Sequence, residues 1–142
     1  MSKDAPYRIA PNAKVKLADF PTDDDGGMDK DDAERQFAHL SDKLAKLQEL
    51  MYAEAKHALL IVLQAMDAGG KDSTIRNVFS LINPQGCKVI NFKGPNSVEL
   101  KHDFLWRIHE NTPRLGYIGV FNRSHYEDVL IARVKNLVPE KQ

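Results

Sequence analysis

The sequence "LQAMDAGGKDSTIRNVF" (residues 63–79) decides the expected fold, because it combines the end of an apolar strand, a glycine-containing turn and the start of a helix. Backbone N–H groups at the start of a helix lack partners within the helix and, together with the helix dipole, favour a bound anion. Two carboxylates nevertheless lie in this segment, those of Asp67 and Asp72. Two such charges about 4 Å apart repel by roughly 4 kcal/mol near a protein surface, so their presence in an anion-binding turn requires an explanation.

The segment "AMDAGGKD" is an imperfect phosphate-binding loop of the type G-x-x-x-x-G-K-[ST]. Ala65 replaces the first glycine of this pattern, and Asp72 replaces its hydroxyl residue. Gly69 and Gly70 still allow close approach of the backbone, and Lys71 can reach a terminal phosphate. The pattern predicts phosphate binding by a continuous set of residues, namely Ala68, Gly69, Gly70, Lys71, Asp72, Ser73 and Thr74. The alternative is an ordinary strand–turn–helix junction with a surface lysine.

Strand and helix patterns alternate on the carboxyl side of this loop. Strands are predicted at 58–65, 87–92 and 117–122, and helices at 73–82 and 97–111, with Ser97 as the cap of the second helix. The first strand is apolar at both odd and even positions, which predicts that both its faces are buried. The alternation is typical of an α/β domain with a parallel sheet, in which ligands bind beyond the carboxyl ends of the strands. Residues 124–138 favour a helix, although their β-branched side chains leave a strand open.

The residues before the loop divide into two parts. Residues 1–28, with their prolines, glycines and the acidic run "DDDGG", predict an extended N-terminal arm. Residues 29–57 predict an amphipathic helix whose apolar side chains recur at steps of three and four: Phe37, Leu40, Leu44, Leu47 and Met51. This apolar face is compatible with packing on the protein's own sheet and with contact to a second subunit.

The composition limits the partners of the protein. The 142 residues, enough for one domain, include 20 Lys plus Arg and 20 Asp plus Glu, so the formal net charge is zero. A neutral protein has no overall attraction for nucleic acid or anionic membranes, and any anion site must be local. A single cysteine excludes an internal disulfide framework, the N-terminus lacks the apolar core of a signal peptide, and no apolar run is long enough to span a bilayer. These features predict a cytoplasmic protein that binds neither nucleic acid nor membrane.

The end of the third predicted strand carries a second cluster of polar residues, "NRSHYED" (122–128). In many phosphate-loop enzymes an acid at this position holds Mg²⁺, whereas here the position is taken by Asn122, a neutral and weaker ligand. Glu127 and Asp128 could supply the missing charge, and the planar guanidinium of Arg123 suits binding of a phosphoryl group. A surface ion pair for Arg123 and a solvated helix-start acid for Glu127 are the alternatives.

Two long segments make the likeness to a known family specific. The sequences "LLIVLQAMDAGGKDSTIRNVFSLINPQGCKVINFKGPNSVELKHDFLWR" and "IGVFNRSHYEDVLIARV" closely resemble the family-2 polyphosphate kinases, in particular the polyphosphate:nucleotide phosphotransferases. The likeness extends from about residue 6 to residue 134. It implies a P-loop kinase-like, three-layer α/β/α fold with a parallel sheet. It also implies phosphoryl transfer between inorganic polyphosphate and a purine nucleoside mono- or diphosphate, with Mg²⁺ or alternatively Mn²⁺, in a homo-oligomer.

The resemblance also implies roles for individual residues. The implied catalytic residues are Asp67, Lys71 and Arg123. The implied nucleotide-binding residues are Lys93, Asn122, Arg123 and Glu127, and the implied metal ligands are Asp67 and Asp128. A metal ion between carboxylates and phosphate oxygens would make acids favourable in a phosphate loop.

The likeness also bears on the extent of the chain. Members of this family continue for roughly as many residues again, with a helical lid and further strands. We therefore expect an N-terminal half, in which residues 58–142 form an incomplete P-loop core without the lid and later strands and have little activity alone. The alternative is a non-catalytic phosphate-binding or oligomerisation module from a truncated kinase.

Overall fold

The computed structural model describes residues 8–24, 26–127 and 134. The chain forms two compact units, Met1–Gln36 and Phe37–Gln142. Among the described residues of the predicted arm, Leu17–Asp19 form one 3₁₀ helix. The division of the chain into an arm, a helix and a core stays a prediction.

The long helix predicted from the apolar periodicity is present as α1, Lys30–Glu54. Asp29 precedes it, and its carboxylate accepts a hydrogen bond from the N–H of Asp32 (2.9 Å). This bond lowers the pKa of the Asp29 carboxyl below its usual value, because it favours the charged form. An N-terminal cap of this kind satisfies a backbone donor that the helix leaves unpaired, so it explains why α1 begins at Lys30.

Three parallel strands form the sheet. They are β1 (Leu59–Leu63), β2 (Cys87–Asn91) and β3 (Ile118–Asn122), in the spatial order β1-β3-β2. Leu63 of β1 and Asn91 of β2 both lie level with Asn122 of β3, so all three strands end at one edge. The predicted parallel α/β fold is therefore confirmed, and the loops that follow the strands meet at that edge.

Helices cover both faces of the sheet. On one face, Ile118 and Val120 of β3 pack with residues of α1 and of α2 (Lys71–Phe79). On the other face, Phe121 packs with Ile108 of the short helix α3 (Trp106–His109). The two apolar layers confirm the expected α/β/α arrangement. Within residues 8–24 and 26–127, no helix has both the length and the apolarity that crossing a bilayer requires.

The apolar face of α1 is divided between two environments. Leu44 and Met51 pack on the core of the sheet, as one of the two interpretations of the pattern required. Leu40 and Leu47 belong to the same apolar pattern of three- and four-residue steps, but they are exposed. The sheet contacts only one side of α1, so the apolar pattern of the helix includes residues that lie outside this contact.

The prediction that the first strand is buried on both faces is wrong. β1 lies at the edge of the sheet, and its Leu60 and Val62 are 40% and 43% exposed. β3 lies in the centre and is buried along its whole length. A strand that is apolar at both odd and even positions can occupy the centre of a sheet. The pattern does not determine this position, because strand order depends on pairing between distant segments.

The single helix predicted at 97–111 is also wrong. The segment contains instead a 3₁₀ helix, Glu99–Lys101, and the one-turn α3, Trp106–His109. Between them, the carboxylate of Asp103 accepts a hydrogen bond from the N–H of Leu105 (2.9 Å). Short acidic side chains compete in this way with the helical hydrogen bonds of the backbone, so the helix pattern is interrupted here.

The predicted cap of this segment is corrected as well. Asn96, and not Ser97, accepts hydrogen bonds from the N–H groups of Val98 (2.9 Å) and Glu99 (3.0 Å). Leu105 packs against the core, whereas Val98 is exposed. The helix predicted at 124–138 lies mostly outside the described residues.

A close contact fixes α1 against the turn before β2. Gln48 of α1 is buried, with 2% of its surface exposed. A Cβ atom added to Gly86 would lie 2.0 Å from Nε2 of Gln48 and 3.0 Å from Cδ2 of Tyr52. Gly86 is therefore required because α1 approaches the backbone of this turn, and no larger residue fits without displacing Gln48.

We expect Gly86→Ala to destabilise the protein by about 1–3 kcal/mol, because the added methyl group overpacks this contact. Thermal unfolding followed by circular dichroism measures the effect. Gly94→Ala is the matched control, since nothing lies within 4 Å of a Cβ atom at Gly94. Equal melting temperatures for the two variants would show that α1 does not constrain the turn.

Candidate active site

The amide of Asn122 joins three segments at the carboxyl edge of the sheet. Its Nδ2 donates hydrogen bonds to Oδ1 of Asn91 (2.8 Å), at the end of β2, and to Oδ1 of Asp72 (2.7 Å), in the first turn of α2. Asn122 itself is buried at the end of β3. The ends of the strands therefore converge as predicted, and the side chain of Asn122 connects the ends of β2 and β3 with the start of α2.

The phosphate loop between β1 and α2 has an irregular backbone. Ala68 and Gly70 have positive φ angles of 62° and 82°. Gly69 has no positive φ, but a Cβ atom there would lie 2.8 Å from Cβ of Ala65 and 2.9 Å from the carbonyl oxygen of Met66. Gly70 thus supplies the left-handed conformation and Gly69 supplies the close approach. Nothing in the sequence indicated that Ala68 also adopts a left-handed conformation.

Lys71 opens α2 with its side chain inside the loop. The residue is 9% exposed, and its Nζ donates hydrogen bonds to the carbonyl oxygens of Ala65 (2.7 Å) and Met66 (2.9 Å). No carboxylate of the described residues forms an ion pair with it. A buried ammonium group held only by neutral carbonyls keeps its attraction for an anion, which agrees with the predicted role in phosphate binding.

Arg123 lies between two carboxylates. Its Nη2 donates to Oδ1 of Asp67 (2.7 Å) and its Nη1 donates to Oε2 of Glu127 (3.1 Å). The side chain of Asp67 is 83% exposed and that of Glu127 is 15% exposed, so water screens the first ion pair far more than the second. Glu127 is also held by Nε2 of Gln64 (2.6 Å). The ion pair with Glu127 therefore holds the guanidinium of Arg123 more firmly than the ion pair with Asp67 does.

The backbone of Arg123 is unusual for a residue with a large side chain. Its φ of 69° lies in the left-handed region, and its N–H donates to the carbonyl oxygen of Leu63 at the end of β1 (3.0 Å). Such a conformation costs roughly 1–3 kcal/mol and persists only where the surroundings hold it. The hydrogen bond to β1 and the two carboxylates provide that hold, and they turn the guanidinium toward the phosphate loop.

These contacts explain the acids in the loop. Asp67 is paired with Arg123, and Asp72 accepts a hydrogen bond from Asn122. Both partners, Arg123 and Asn122, come from the end of β3, so the partner of each acid lies outside the loop. Each carboxylate therefore has a partner before any ligand binds.

The loop and the end of β3 enclose a pocket of about 210 Å³. Its lining contains most of the residues predicted to bind phosphate, together with Asn122 and Arg123: Asp67, Ala68, Gly69, Gly70, Lys71, Asp72, Ser73, Asn122 and Arg123. Thr74 is the predicted phosphate ligand that does not line it, because its hydroxyl donates to the carbonyl oxygen of Gly70 (3.0 Å). Lys93 and Glu127 also lie outside the lining, and Asp128 lies outside the described residues.

Sequence reasoning missed two contributors to the site. Asn91 accepts the hydrogen bond from Asn122, and its position at the end of a predicted strand was the available signal. Ser124 is 2% exposed, and its hydroxyl donates to Oε1 of Gln64 (3.3 Å). A serine after an arginine carries no comparable signal. At the opposite end of the sheet, burial raises the pKa of the Cys87 thiol, which makes it a poor nucleophile.

The parallel sheet and the loop at its carboxyl edge define an α/β protein with a candidate anion site. The family description Polyphosphate kinase 2 (PPK2) matches residues 27–142. The chain therefore belongs to the polyphosphate kinase 2 family, as the two quoted segments had indicated.

Individual relatives agree with this assignment. The chain is 52% identical over 137 residues to an AMP/ADP-polyphosphate phosphotransferase of Meiothermus ruber, covering 95% of this chain and 51% of that protein. It is 48% identical over 129 residues to an ADP-polyphosphate phosphotransferase of Rhodopseudomonas palustris, covering 90% and 45%. The crystal structure of polyphosphate kinase 2 from Arthrobacter aurescens TC1 matches with a TM-score of 0.87 and 38% identity, over 99% of this chain and 51% of that one. The chain thus spans about half the length of the curated relatives it matches.

We expect Asn122→Asp to destabilise the protein by about 1–3 kcal/mol at pH 7.5 without divalent metal, because a carboxylate would then face the carboxylate of Asp72. The repulsion raises the pKa of one of the two acids in the folded state. The variant is therefore as stable as the parent at low pH and loses stability as the pH rises through that pKa.

Thermal unfolding in EDTA at pH 5 and pH 7.5 measures this difference. Asn77→Asp makes the same chemical change at an exposed position of α2 and serves as the control. A deficit for Asn122→Asp that does not grow between the two pH values would contradict the contact with Asp72.

Proposed function

We propose that this chain provides the phosphate-binding site of an enzyme that transfers a phosphoryl group between inorganic polyphosphate and a purine nucleoside mono- or diphosphate. The observation that carries the proposal is the convergence of two cations, Lys71 and Arg123, on one pocket at the start of α2. The names of the relatives, which are AMP/ADP- and ADP-polyphosphate phosphotransferases, support the choice of substrates.

The reaction requires positioning and charge neutralisation more than covalent chemistry. A terminal phosphorus–oxygen bond of polyphosphate breaks, and a bond forms from that phosphorus to an oxygen of the nucleotide's terminal phosphate. Lys71 and the first N–H groups of α2 bind phosphate oxygens, and Arg123 stabilises the charge on the transferred group. Because the accepting phosphate is already largely ionised near pH 7, Asp67 orients the phosphates and is not needed as a base.

The oxygen atoms around the pocket fit Mg²⁺. Oδ1 of Asn122 is buried and has no hydrogen-bond partner, and the carboxylate of Asp72 is bonded to the same amide. Within the described residues no group of three or more His, Cys, Asp or Glu side chains is arranged to hold a metal ion. Mg²⁺ does not require such a group, because it is held by one or two carboxylates with substrate phosphates and water.

Asp67 would hold the ion, together with Asp72 and Asn122, which line the same pocket, and Asp128 is a further proposed ligand outside the described residues. The metal would neutralise charge on the bound phosphates. Mn²⁺, which also prefers oxygen ligands, is the alternative. The zero net charge supports local binding of these polyanions rather than of nucleic acid or membranes, and the single cysteine supports a cytoplasmic location.

We expect Lys71→Ala to weaken the binding of tripolyphosphate at least tenfold, because the variant removes the buried cation of the pocket. Isothermal titration calorimetry with Mg²⁺ measures the dissociation constant. Lys46→Ala is the matched control, since Lys46 is exposed on α1 and pairs with Asp42 (2.7 Å). Unchanged binding by Lys71→Ala would remove Lys71 from the phosphate site.

Formation of ATP from ADP and polyphosphate, followed by luciferase luminescence, tests transfer separately from binding. ATP formation that Lys71→Ala abolishes supports the proposed kinase. Tripolyphosphate binding without ATP formation, both by the 142-residue chain and by a form extended to the length of its relatives, would instead favour the non-catalytic phosphate-binding module.

We also propose that the protein self-associates through α1. Leu47 and Leu50 are 53% and 55% exposed, and Lys43 and Glu54, on the same face, form no ion pair among the described residues. In an antiparallel pair of α1 helices, Leu47 of each copy lies opposite Leu50 of the other, and Lys43 of each lies opposite Glu54. The face is thus complementary to itself in shape and charge, as a two-fold symmetric interface requires.

We expect Leu47→Glu to reduce self-association, because it places a charge in the apolar centre of this face. Size-exclusion chromatography with light scattering over a range of concentrations measures the molar mass. Leu115→Glu is the control, since Leu115 is exposed in the loop before β3. The same molar mass for both variants would exclude α1 as the interface and leave the face free for other segments of the protein.

A further inference from the structure

Gln64 follows β1 directly and does not itself line the pocket at the phosphate loop. Its side-chain amide is nevertheless bonded through both of its polar atoms. Nε2 donates a hydrogen bond to Oε1 of Glu127 (2.6 Å), and Oε1 accepts one from the hydroxyl of Ser124 (3.3 Å). Gln64 is half-buried, so water competes only in part for these bonds. The end of β1 is thus joined by one side chain to two residues of the segment that follows β3.

The hydroxyl of Ser124 determines which way the amide of Gln64 points. Ser124 is 2% exposed, and its Oγ accepts a hydrogen bond from the N–H of Tyr126 (3.2 Å). The hydroxyl proton is then donated to Oε1 of Gln64, which leaves the nitrogen of the amide facing Glu127. A carboxylate only accepts hydrogen bonds, so the reverse orientation of the amide would place two acceptors against each other. The donor of Gln64 is therefore held toward Glu127.

The carboxylate of Glu127 transmits this constraint to Arg123. Its Oε1 is held by Gln64, and its Oε2 lies 3.1 Å from Nη1 of Arg123. With a partner at each oxygen, the carboxylate has a fixed plane, and that plane sets the direction of the guanidinium. The side chain of Glu127 is 15% exposed, whereas that of Asp67, on the other edge of the guanidinium, is 83% exposed. The orientation of Arg123 therefore depends mainly on the side that Gln64 supports.

The end of β1 also holds the backbone of Arg123. The N–H of Arg123 donates to the carbonyl oxygen of Leu63, the residue before Gln64 (3.0 Å). The φ angle of Arg123 is 69°, a conformation that persists only where the surroundings hold it. Two consecutive residues therefore hold Arg123 at its two ends. Leu63 holds the backbone, and Gln64, through Glu127, holds the guanidinium.

We propose that Gln64 is a positioning residue that keeps the guanidinium of Arg123 directed into the pocket when a ligand displaces Asp67. The inference rests on the proposed function and adds to it the residue that orients the arginine. Gln64 touches no substrate and acts through Glu127. A neutral amide suits this task, because it donates to Glu127 without competing as a cation for the carboxylate that Arg123 needs. A lysine would compete in that way and would offer no acceptor to Ser124.

A double-mutant cycle separates this positioning role from a general effect on the fold. Isothermal titration calorimetry with Mg²⁺ gives the dissociation constant of tripolyphosphate for the parent, Gln64→Met, Arg123→Ala and the double variant. Methionine is close to glutamine in shape but has no N–H to donate to Glu127. We expect Gln64→Met to weaken binding at least fivefold in the parent and less than twofold in the Arg123→Ala background, where no guanidinium remains to be oriented.

Gln85→Met is the matched control. Gln85 is exposed in the 3₁₀ turn Pro84–Gly86, which precedes β2 and so lies at the end of the strand opposite the pocket. We expect it to leave the dissociation constant unchanged in both backgrounds. An equal loss from Gln64→Met with and without Arg123 would show that the amide only supports the fold, and this result would overturn the inference. Unchanged binding by Gln64→Met would overturn it as well.

A second variant decides the matter if Gln64→Met does not fold. Gln64→Asn keeps the amide but is one methylene shorter, so it cannot bond Ser124 and Glu127 together. We expect a loss of tripolyphosphate binding of at least twofold that disappears in the Arg123→Ala background. A loss that persists in that background, or no loss at all, would overturn the inference.

The parent chain separates this inference from the proposed function. If the parent binds tripolyphosphate and Lys71→Ala weakens the binding, but neither variant of Gln64 depends on Arg123, the positioning role alone is contradicted. If the parent does not bind tripolyphosphate, the proposed function is contradicted and the inference with it.

Discussion

The hydrogen bonds donated by the amide of Asn122 are the contact on which the site depends. They join the end of β2, the end of β3 and the first turn of α2. Two of the departures from the usual pattern meet here, since Asp72 replaces a hydroxyl residue of the loop and Asn122 replaces an acid at the end of the strand. The structure shows that the two departures compensate each other. The loop carries the carboxylate of Asp72, and the end of the strand carries the amide of Asn122. A hydrogen bond joins these two side chains, and only one of them is charged.

Before an anion binds, two carboxylates balance the positive charge of Arg123. Glu127 holds one edge of its guanidinium in a mostly buried ion pair, and Asp67 holds the other in an exposed one. The exposed pair is the weaker, because water screens it. A phosphate or a metal ion can therefore replace it at little cost, while Glu127 keeps the guanidinium oriented. The strained backbone of Arg123 is consistent with this function, since such strain is retained where geometry matters.

The carboxyl edge of the sheet brings two cations to one small pocket. Lys71 and Arg123 both line it, and Lys71 is buried. A phosphotransferase must hold two polyanions end to end, which requires that their charge be neutralised while they are aligned. The pair of cations at this edge therefore suits the proposed phosphate binding.

The sequence by itself determined the local features of the protein. Apolar periodicity predicted α1, and the alternation of patterns predicted three parallel strands. Turn chemistry predicted the loop around Gly69 and Lys71. Only the tertiary structure decided that β1 lies at the edge and that Arg107 is buried. It also decided that Asp72 pairs with a residue 50 positions away. Periodicity and turn preference act over a few residues, whereas these contacts depend on strand order, which is set by how distant segments pack.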